Sequence, residues 1–331
     1  MDDLHTNDLH SNDLRTKLVL TYNNSALNDG VGAQLQRIYG TFSVARLLGA
    51  AYLHSPLQCV QYQGLWALEQ DQIDPAFHQQ FNEIIPLPSD VSPTEELERL
   101  CADNITSDLI QALVHRFDGH ETGGRRILVS ANVPYGIADQ FPDCYRVCRD
   151  LSPFQSPPRV GRPMRIVLHV RRGDLSAVVP ERILPNAFYV QAAQEVVQVL
   201  DALKMSYQIE LWTEVPSKEF TIVPGRHSLP HRFSGSPVVS PEMSHLEDFD
   251  GVPNLARYIN NPPFDCLRAF ATADILVMSR SSFSYVGAIL NRAGVVLCPS
   301  FWHAAPSWWV HVGDDGHFDA GAFLAALVPG A

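Results

Sequence analysis

Cysteine is scarce in this chain of 331 residues. There are six, at positions 59, 101, 144, 148, 266 and 298, and none stands in the CxxC pair that a zinc knuckle needs. A disulfide scaffold and a structural zinc site are therefore excluded, and the thiols are expected to be reduced and mostly buried. Cys144 and Cys148 have the spacing of one helical face, but the neighbourhood supplies no further metal ligands. Positive charge is short as well: 24 Lys and Arg stand against 36 Asp and Glu, a formal charge of −12. Such a surface repels a polyphosphate backbone, so nucleic acid is not an expected partner, and any phosphate bound must be small and locally gripped. No run approaches the roughly 18 apolar residues of a membrane span. The start, Met1-Asp2-Asp3-Leu4-His5, lacks the basic and apolar regions of a signal peptide, which makes a cytoplasmic location the expectation.

What is present is the composition of a folded protein, 46% hydrophobic and 18% charged. The length exceeds what one core usually fills, which predicts two domains. Residues 1 to 16 have no periodicity worth burying and are expected to form a flexible tail. Lys17 to Tyr22 reads as a buried strand, Asn23 to Gly32 as a loop, and Gln34 onward as a helix with Leu35, Ile38, Phe42, Ala45 and Leu48 at helical spacing. A helix is predicted over Thr94 to Cys101 and a strand over Arg126 to Ser130. The prolines between Ser152 and Pro163 mark a linker, so a first domain is expected over 17–152 and a second over 164–331. In the second, Arg165 to Val170, Tyr207 to Trp212, Ile275 to Met278 and Val295 to Cys298 read as strands, and 187 to 203 as a helix. Alternation of strand and helix in both halves predicts α/β architecture with parallel sheets.

Three loops carry chemistry. At the end of the strand over 165 to 170, His169, Arg171, Arg172 and Asp174 crowd around Gly173. Ligands bind at the carboxyl ends of parallel strands, and an arginine fork grips phosphate oxygens in two places. One arginine of the pair can hold a diphosphate while the other, paired with Asp174, is structural, because adjacent strand residues point to opposite faces. A second loop, Ser279 to Tyr285, follows a strand and opens a helix; Ser281 and Ser282 there are either anion ligands or plain N-caps. A third, Asn28-Asp29-Gly30-Val31-Gly32-Ala33-Gln34, joins strand to helix but lacks the last glycine of a dinucleotide loop, which argues against a nicotinamide cofactor. Its glycines permit close backbone approach to a ligand. Trp302, Trp308, Trp309 and His303 cluster near the end of the chain and either stack on a sugar or pack the core.

In this order the three loops resemble the fucosyltransferase superfamily, nearest the α-1,2-fucosyltransferases and more remotely the α-1,6 and protein O-fucosyltransferases. The glycine loop with Gln34 is similar to the family's Gly-x-Gly-x-Gln motif, and His169 to Asp174 to its His-x-Arg-Arg-x-Asp motif. Leu184-Pro185-Asn186-Ala187-Phe188-Tyr189 resembles the helix start that follows it. Asp265, Ala273-Asp274, Ser281-Ser282-Phe283-Ser284-Tyr285 and Asn291 resemble the closing donor motif.

The resemblance implies a GT-B fold, two Rossmann-like domains facing across a cleft. It also implies inverting transfer of L-fucose from GDP-β-L-fucose to a glycan hydroxyl, with no metal or other cofactor. Carried over, Arg171 would grip the β-phosphate with Arg172 in reserve. His169 and Asp265 would face guanine and ribose, Ser281 and Ser282 would hold phosphate oxygens beside Phe283, and Gly30 and Gly32 would line the cleft. The general base would be Glu181, by its place after the arginine motif, or Asp29 of the glycine loop. Acceptor, linkage and oligomeric state stay open. The rival readings are a GT-B transferase with another nucleotide sugar and a binding protein displaying Arg172-Gly173-Asp174 as an adhesion tripeptide.

Overall fold

A computed structural model describes residues 14–23, 30–58, 60, 63–65, 67, 72, 74–85, 87–118, 125–174, 182–221 and 238–328. Four strands, β1 (Leu18–Tyr22), β2 (Ala51–Tyr52), β3 (Glu98–Asn104) and β4 (Ile127–Val133), form a parallel sheet in the order β2-β1-β4-β3. All five residues of β1 are buried, as a strand covered on both faces requires. Six more, β5 (Met164–Val170), β6 (Tyr207–Thr213), β7 (Leu255–Ile259), β8 (Ile275–Val277), β9 (Val295–Pro299) and β10 (Val310–Val312), form a second parallel sheet in the order β7-β6-β5-β8-β9-β10. Counted within their own unit these read 3-2-1-4-5-6, the Rossmann order, whose topological switch lies between β5 and β8.

The helices that matter to the site are α1 (Val31–Leu47), α2 (Ser107–Asp118), α3 (Asn186–Ala202), α4 (Pro263–Ala271), α5 (Ser282–Ile289) and α6 (Ala320–Leu327). Fourteen of the seventeen residues of α1 are buried, the polar Gln34, Gln36, Thr41 and Ser43 among them. The apolar stripe expected from Leu35, Ile38, Phe42 and Ala45 is there, but a helix buried on all sides has partners on all sides. One side packs on the first sheet and another on α5 of the second unit. The central core is accordingly continuous, joining Tyr22, Leu35 and Phe42 to Phe264, Phe270, Tyr285 and Trp309. A separate core on the far face of the second sheet packs α3 and α6 against Ile166, Leu168 and Leu211. Polar contacts also join the units: Asp143 accepts from the Ser307 amide at 2.7 Å and its hydroxyl at 2.6 Å. An interface this apolar opposes free hinge motion.

Two expectations are corrected. The segment predicted as a helix over Thr94 to Cys101 enters β3 at Glu98, where half-buried and exposed residues alternate with period two as the strand pairs with β4. Of the expected tail, residues 1–13 lie outside the described residues, while Leu14–Lys17 forms a helical turn with Leu14 buried and Arg15 paired to Asp90 at 3.0 Å. The five described cysteines are free, but only Cys148 and Cys298 are buried. The proline-rich stretch before β5 is anchored by Arg162, whose guanidinium takes both oxygens of Asp274, at 2.5 and 2.9 Å. No described helix is long and apolar enough to cross a membrane.

Candidate functional site

Beyond the carboxyl edge of the second sheet lies a cavity of about 170 Å³. Its wall is assembled from both units: Gly30 to Ala33 at the start of α1, His169 to Arg172 after β5, Trp212 to Glu214 after β6, Pro263, Cys266 and Phe270 of α4, and Ser281 to Phe283 at the start of α5. The cavity thus sits at the topological switch, the place where an open parallel sheet binds its ligand. The first turns of two helices, one from each unit, meet in its wall. Gly30 is the N-cap of α1 and makes no side-chain cap, whereas Ser281 caps α5 by accepting the Phe283 amide at 3.2 Å. Amides at helix starts carry partial positive charge, so two converging starts can hold an anion.

Gly32 is required here for packing. A Cβ built on it would lie 2.6 Å from both the Cα and the N of Phe283. The close approach expected of this glycine is therefore to the backbone of α5, which locks the two helix starts together. Gly30 has φ of −64°, a conformation open to any residue.

Arg171 faces the cavity with its guanidinium already ordered. Nη2 donates to Asp174 Oδ1 at 2.5 Å and Nη1 to Glu214 Oε2 at 2.7 Å. The other oxygen of Glu214 accepts the Leu65 amide of the first unit at 2.8 Å. Asp174 thus pairs with Arg171, not with its neighbour, contrary to the expected division of labour. Arg172 is the structural arginine: 3% exposed, it donates to the carbonyls of Arg171 at 2.8 Å and Leu184 at 3.0 Å and to Asn186 Oδ1. Burial depresses the pKa of its guanidinium. Those donors tie β5 to the start of α3, although Arg172 still contributes to the cavity wall. Its burial, with that of Asp174, also removes the adhesion-tripeptide reading, which needs an exposed loop.

His169 is 7% exposed, its ring tilted 37° against that of Phe270 with centroids 4.7 Å apart, and Phe283 closes on it edge-on. Burial, then the charges of Arg171 and Arg172, push its pKa down to about 3, so the imidazole is neutral near pH 7. A neutral ring can exchange hydrogen bonds with an uncharged ligand group but cannot balance phosphate charge. Its Nδ1 is buried without a hydrogen-bond partner.

Of the remaining expected residues, Asp265 lies in the first turn of α4, exposed and outside the cavity wall, although Pro263 and Cys266 on either side of it belong to that wall. Asp29 and Glu181 lie outside the described residues. Two parts of the closing motif are structural. Asp274 accepts the Arg165 amide at 2.8 Å, and Asn291 donates to the carbonyls of Phe270 and Ala273. The tryptophans divide: Trp309 is buried, Arg146 and Arg149 stack on Trp308, and Trp302, 46% exposed, has Phe301 and Arg182 on its ring. His303 approaches Asp139 across the interface at 3.2 Å.

The Asp-x-Asp triplet Asp248-Phe249-Asp250 has the spacing that can hold a divalent ion and lies outside the three loops that carry the resemblance. Here its carboxylates meet Asn186 Nδ2 at 3.0 Å and Arg257 at 2.5 Å, with Phe249 buried between them. Among the described residues no group of three or more His, Cys, Asp or Glu is placed to hold a metal ion. Glu214, Thr213 and Trp212 are cavity residues that sequence reasoning misses, since no local motif marks the end of β6.

Two parallel Rossmann-like sheets with a cavity at their shared interface have the layout of a GT-B fold. No protein-family model and no curated protein matches the chain. Among solved structures the chain is similar to E. coli heptosyltransferase WaaC with ADP, at 12% identity and a TM-score of 0.35, covering 89% of this chain and 90% of that one. It is also similar to the same enzyme with ADP-2-deoxy-2-fluoro heptose, at 12% identity and a TM-score of 0.31, covering 85% and 88%. Scores at this level carry no inference about ligand or reaction.

Proposed function

We propose that this protein is an inverting, metal-independent glycosyltransferase that moves L-fucose from GDP-β-L-fucose to a hydroxyl of a glycan. The observation that carries the reading is the meeting of two helix starts and the Arg171 guanidinium at one cavity, at the switch point of a Rossmann-ordered sheet. Charge appears on the diphosphate as the glycosidic bond breaks. Amides and an arginine fixed in advance stabilise that charge without reorganising, which a divalent ion does in other designs. The fucosyl donor is supported by the ordered motifs at His169 to Asp174 and Ser281 to Tyr285.

In the reaction the acceptor oxygen forms its bond to the anomeric carbon from the face opposite the diphosphate. The bond from that carbon to the β-phosphate oxygen breaks, GDP leaves with the electron pair, and the acceptor proton passes to a carboxylate. Glu181 or Asp29 is the proposed base, on family resemblance. Arg171 and the amides of Gly32, Ala33 and Ser282 are the proposed diphosphate ligands, with Asp174 and Glu214 orienting Arg171.

Calorimetry with GDP, GDP-fucose, UDP and UDP-glucose in EDTA tests this: binding confined to GDP and GDP-fucose supports it. Preference for UDP, or no nucleotide binding, overturns it. A GT-B transferase with a different nucleotide sugar is the second reading. It is favoured by the exposure of Asp265, which leaves the base-facing wall without the carboxylate that the resemblance assigns to guanine.

A further inference from the structure

Glu214, which braces Arg171 in the cavity, is itself held by a residue outside the wall. β6 ends at Thr213, opposite Ile259 at the end of β7, and Glu214 follows Thr213 as Asn260 follows Ile259. The Asn260 amide donates to the Thr213 carbonyl at 3.0 Å, one bond beyond the sheet. Its side chain then continues the ladder: Oδ1 accepts the Val215 amide at 2.8 Å and Nδ2 donates to the Val215 carbonyl at 2.7 Å. A carboxamide carries the donor and the acceptor of a peptide group, so it pairs with Val215 as a further strand residue would. The main chain on both sides of Glu214 is therefore bonded to Asn260.

Asn260 has φ of +57°, in the left-handed region, which asparagine tolerates better than most residues. That turn delivers the chain to Asn261, which lines the cavity and whose carbonyl accepts the Cys266 thiol at 3.6 Å. One residue thus fixes the wall at the ends of two strands. Asn260 is exposed, so packing in a core does not account for its place. The carboxylate it mounts has little freedom. Gly64, with φ of +111°, closes on it from the first unit, where a Cβ would lie 3.1 Å from Oε1. Leu65 and Arg171 take its two oxygens. A shift at the end of β6 would move both contacts, and the guanidinium with them.

We infer that Asn260 is a positioning residue for the donor site: it holds the end of β6 so that Glu214 keeps the Arg171 fork in place before a diphosphate arrives. The inference rests on the donor-site reading above and goes beyond it, since Asn260 stands outside the cavity wall and acts through Glu214. A fork fixed in advance has less freedom to lose when it binds, so the mount contributes to affinity without touching the ligand.

Asn260→Gly tests it, since glycine adopts the same φ freely and only the carboxamide is lost. Inorganic pyrophosphate and GDP are titrated into the unsubstituted protein, Asn260→Gly, Glu214→Ala and the double variant. Asn260→Gly should bind pyrophosphate about fivefold more weakly, the scale of immobilising one long side chain on binding. GDP should lose the same factor, because the effect reaches it through the diphosphate. Made in Glu214→Ala, where no carboxylate is left to hold, the same change should cost less than about twofold, the mark of two residues acting as one unit. Glu214→Gln is a second background, which keeps the Leu65 contact and also lacks the charge that holds the fork; the further loss there should again be small. Unchanged pyrophosphate affinity in Asn260→Gly, a loss for GDP alone, or an equal loss with and without the Glu214 carboxylate would overturn the inference. If the unsubstituted protein binds neither pyrophosphate nor GDP, the donor-site reading falls and the inference with it. A normal site indifferent to Asn260→Gly overturns the inference alone.

Discussion

Glu214 holds Arg171 at 2.7 Å with one carboxylate oxygen and the Leu65 amide at 2.8 Å with the other, so the guanidinium in the second unit is braced from the first. With Asp174 at 2.5 Å, two carboxylates flank one arginine. The arrangement fixes the fork before a ligand arrives and also sets two negative charges beside the proposed diphosphate position. Replacing Glu214 by Gln preserves the shape and the Leu65 contact while removing one of those charges. The expected outcome is a lower KM for the donor and a lower kcat, since the anion is repelled less and the arginine is held less firmly. Steady-state kinetics decide it; a variant with KM and kcat both unchanged would separate Glu214 from the function of Arg171.

Arg171→Ala should abolish measurable diphosphate affinity, a loss of about 2–4 kcal/mol for a charge-assisted fork. The structure adds a second consequence. Without the guanidinium, Asp174 and Glu214 face each other with no cation between them, and both are largely buried. The variant should therefore melt measurably lower, by the order of 1–3 kcal/mol, and recover when Glu214→Gln is added. Calorimetry with pyrophosphate and a thermal melt of the single and double variants separate the two effects. Arg171→Lys keeps the charge but not the fork and should fall between.

Gly32 and Gly30 should respond differently to alanine. At Gly32 the new methyl would stand 2.6 Å from backbone atoms of Phe283, which cannot swing aside as a side-chain tip can. Gly32→Ala should push α1 from α5, cost about 2–3 kcal/mol or more as overpacking, and lower transfer activity by separating the helix starts. Gly30→Ala needs no change of backbone, so a loss of under about 1 kcal/mol is expected, the range for N-cap replacement. Denaturant melts of both variants check the contrast; equal losses would mean the helix contact is not tight.

How much of this is legible in the sequence depends on whether the signal is local. Strands β5, β6, β8 and β9 are readable because a parallel strand covered on both faces is a continuous apolar run, as in Ile166-Val167-Leu168. Edge strand β3 is not: its alternate residues face solvent, and Glu98, Arg99 and Asp103 dilute the run. The same division governs the site. Arg171, Ser281 and Gly32 stand in recognisable loops, whereas Glu214 reaches Arg171 only because β6 pairs with β5, forty-three residues apart in the chain. The roles of Arg171 and Arg172 cannot be assigned from their order alone. They follow from which guanidinium turns toward Leu184 and Asn186 and which toward the cavity. Asp265 shows the converse: its place in a motif is clear, yet the helix turns it to solvent.

His169 gives a pH prediction whose sign follows from burial. In the folded chain its pKa is about 3, against about 6.5 when unfolded, because burial and the neighbouring Arg171 and Arg172 oppose a third positive charge. Between these values the unfolded chain takes up a proton that the folded chain refuses. The contribution is complete above pH 6.5 and is lost as pH falls toward 3, at up to about 1.4 kcal/mol per unit. His169→Leu removes the titrating group while keeping an apolar side chain in the aromatic pocket, so the difference in unfolding free energy between it and the unsubstituted protein should shift in favour of the variant as pH falls from 6.5 to 4.5. Denaturant melts at pH 7.5, 6.5, 5.5 and 4.5 measure this. A difference constant across that range would mean that His169 takes its proton in the folded state despite its burial beside Arg171 and Arg172.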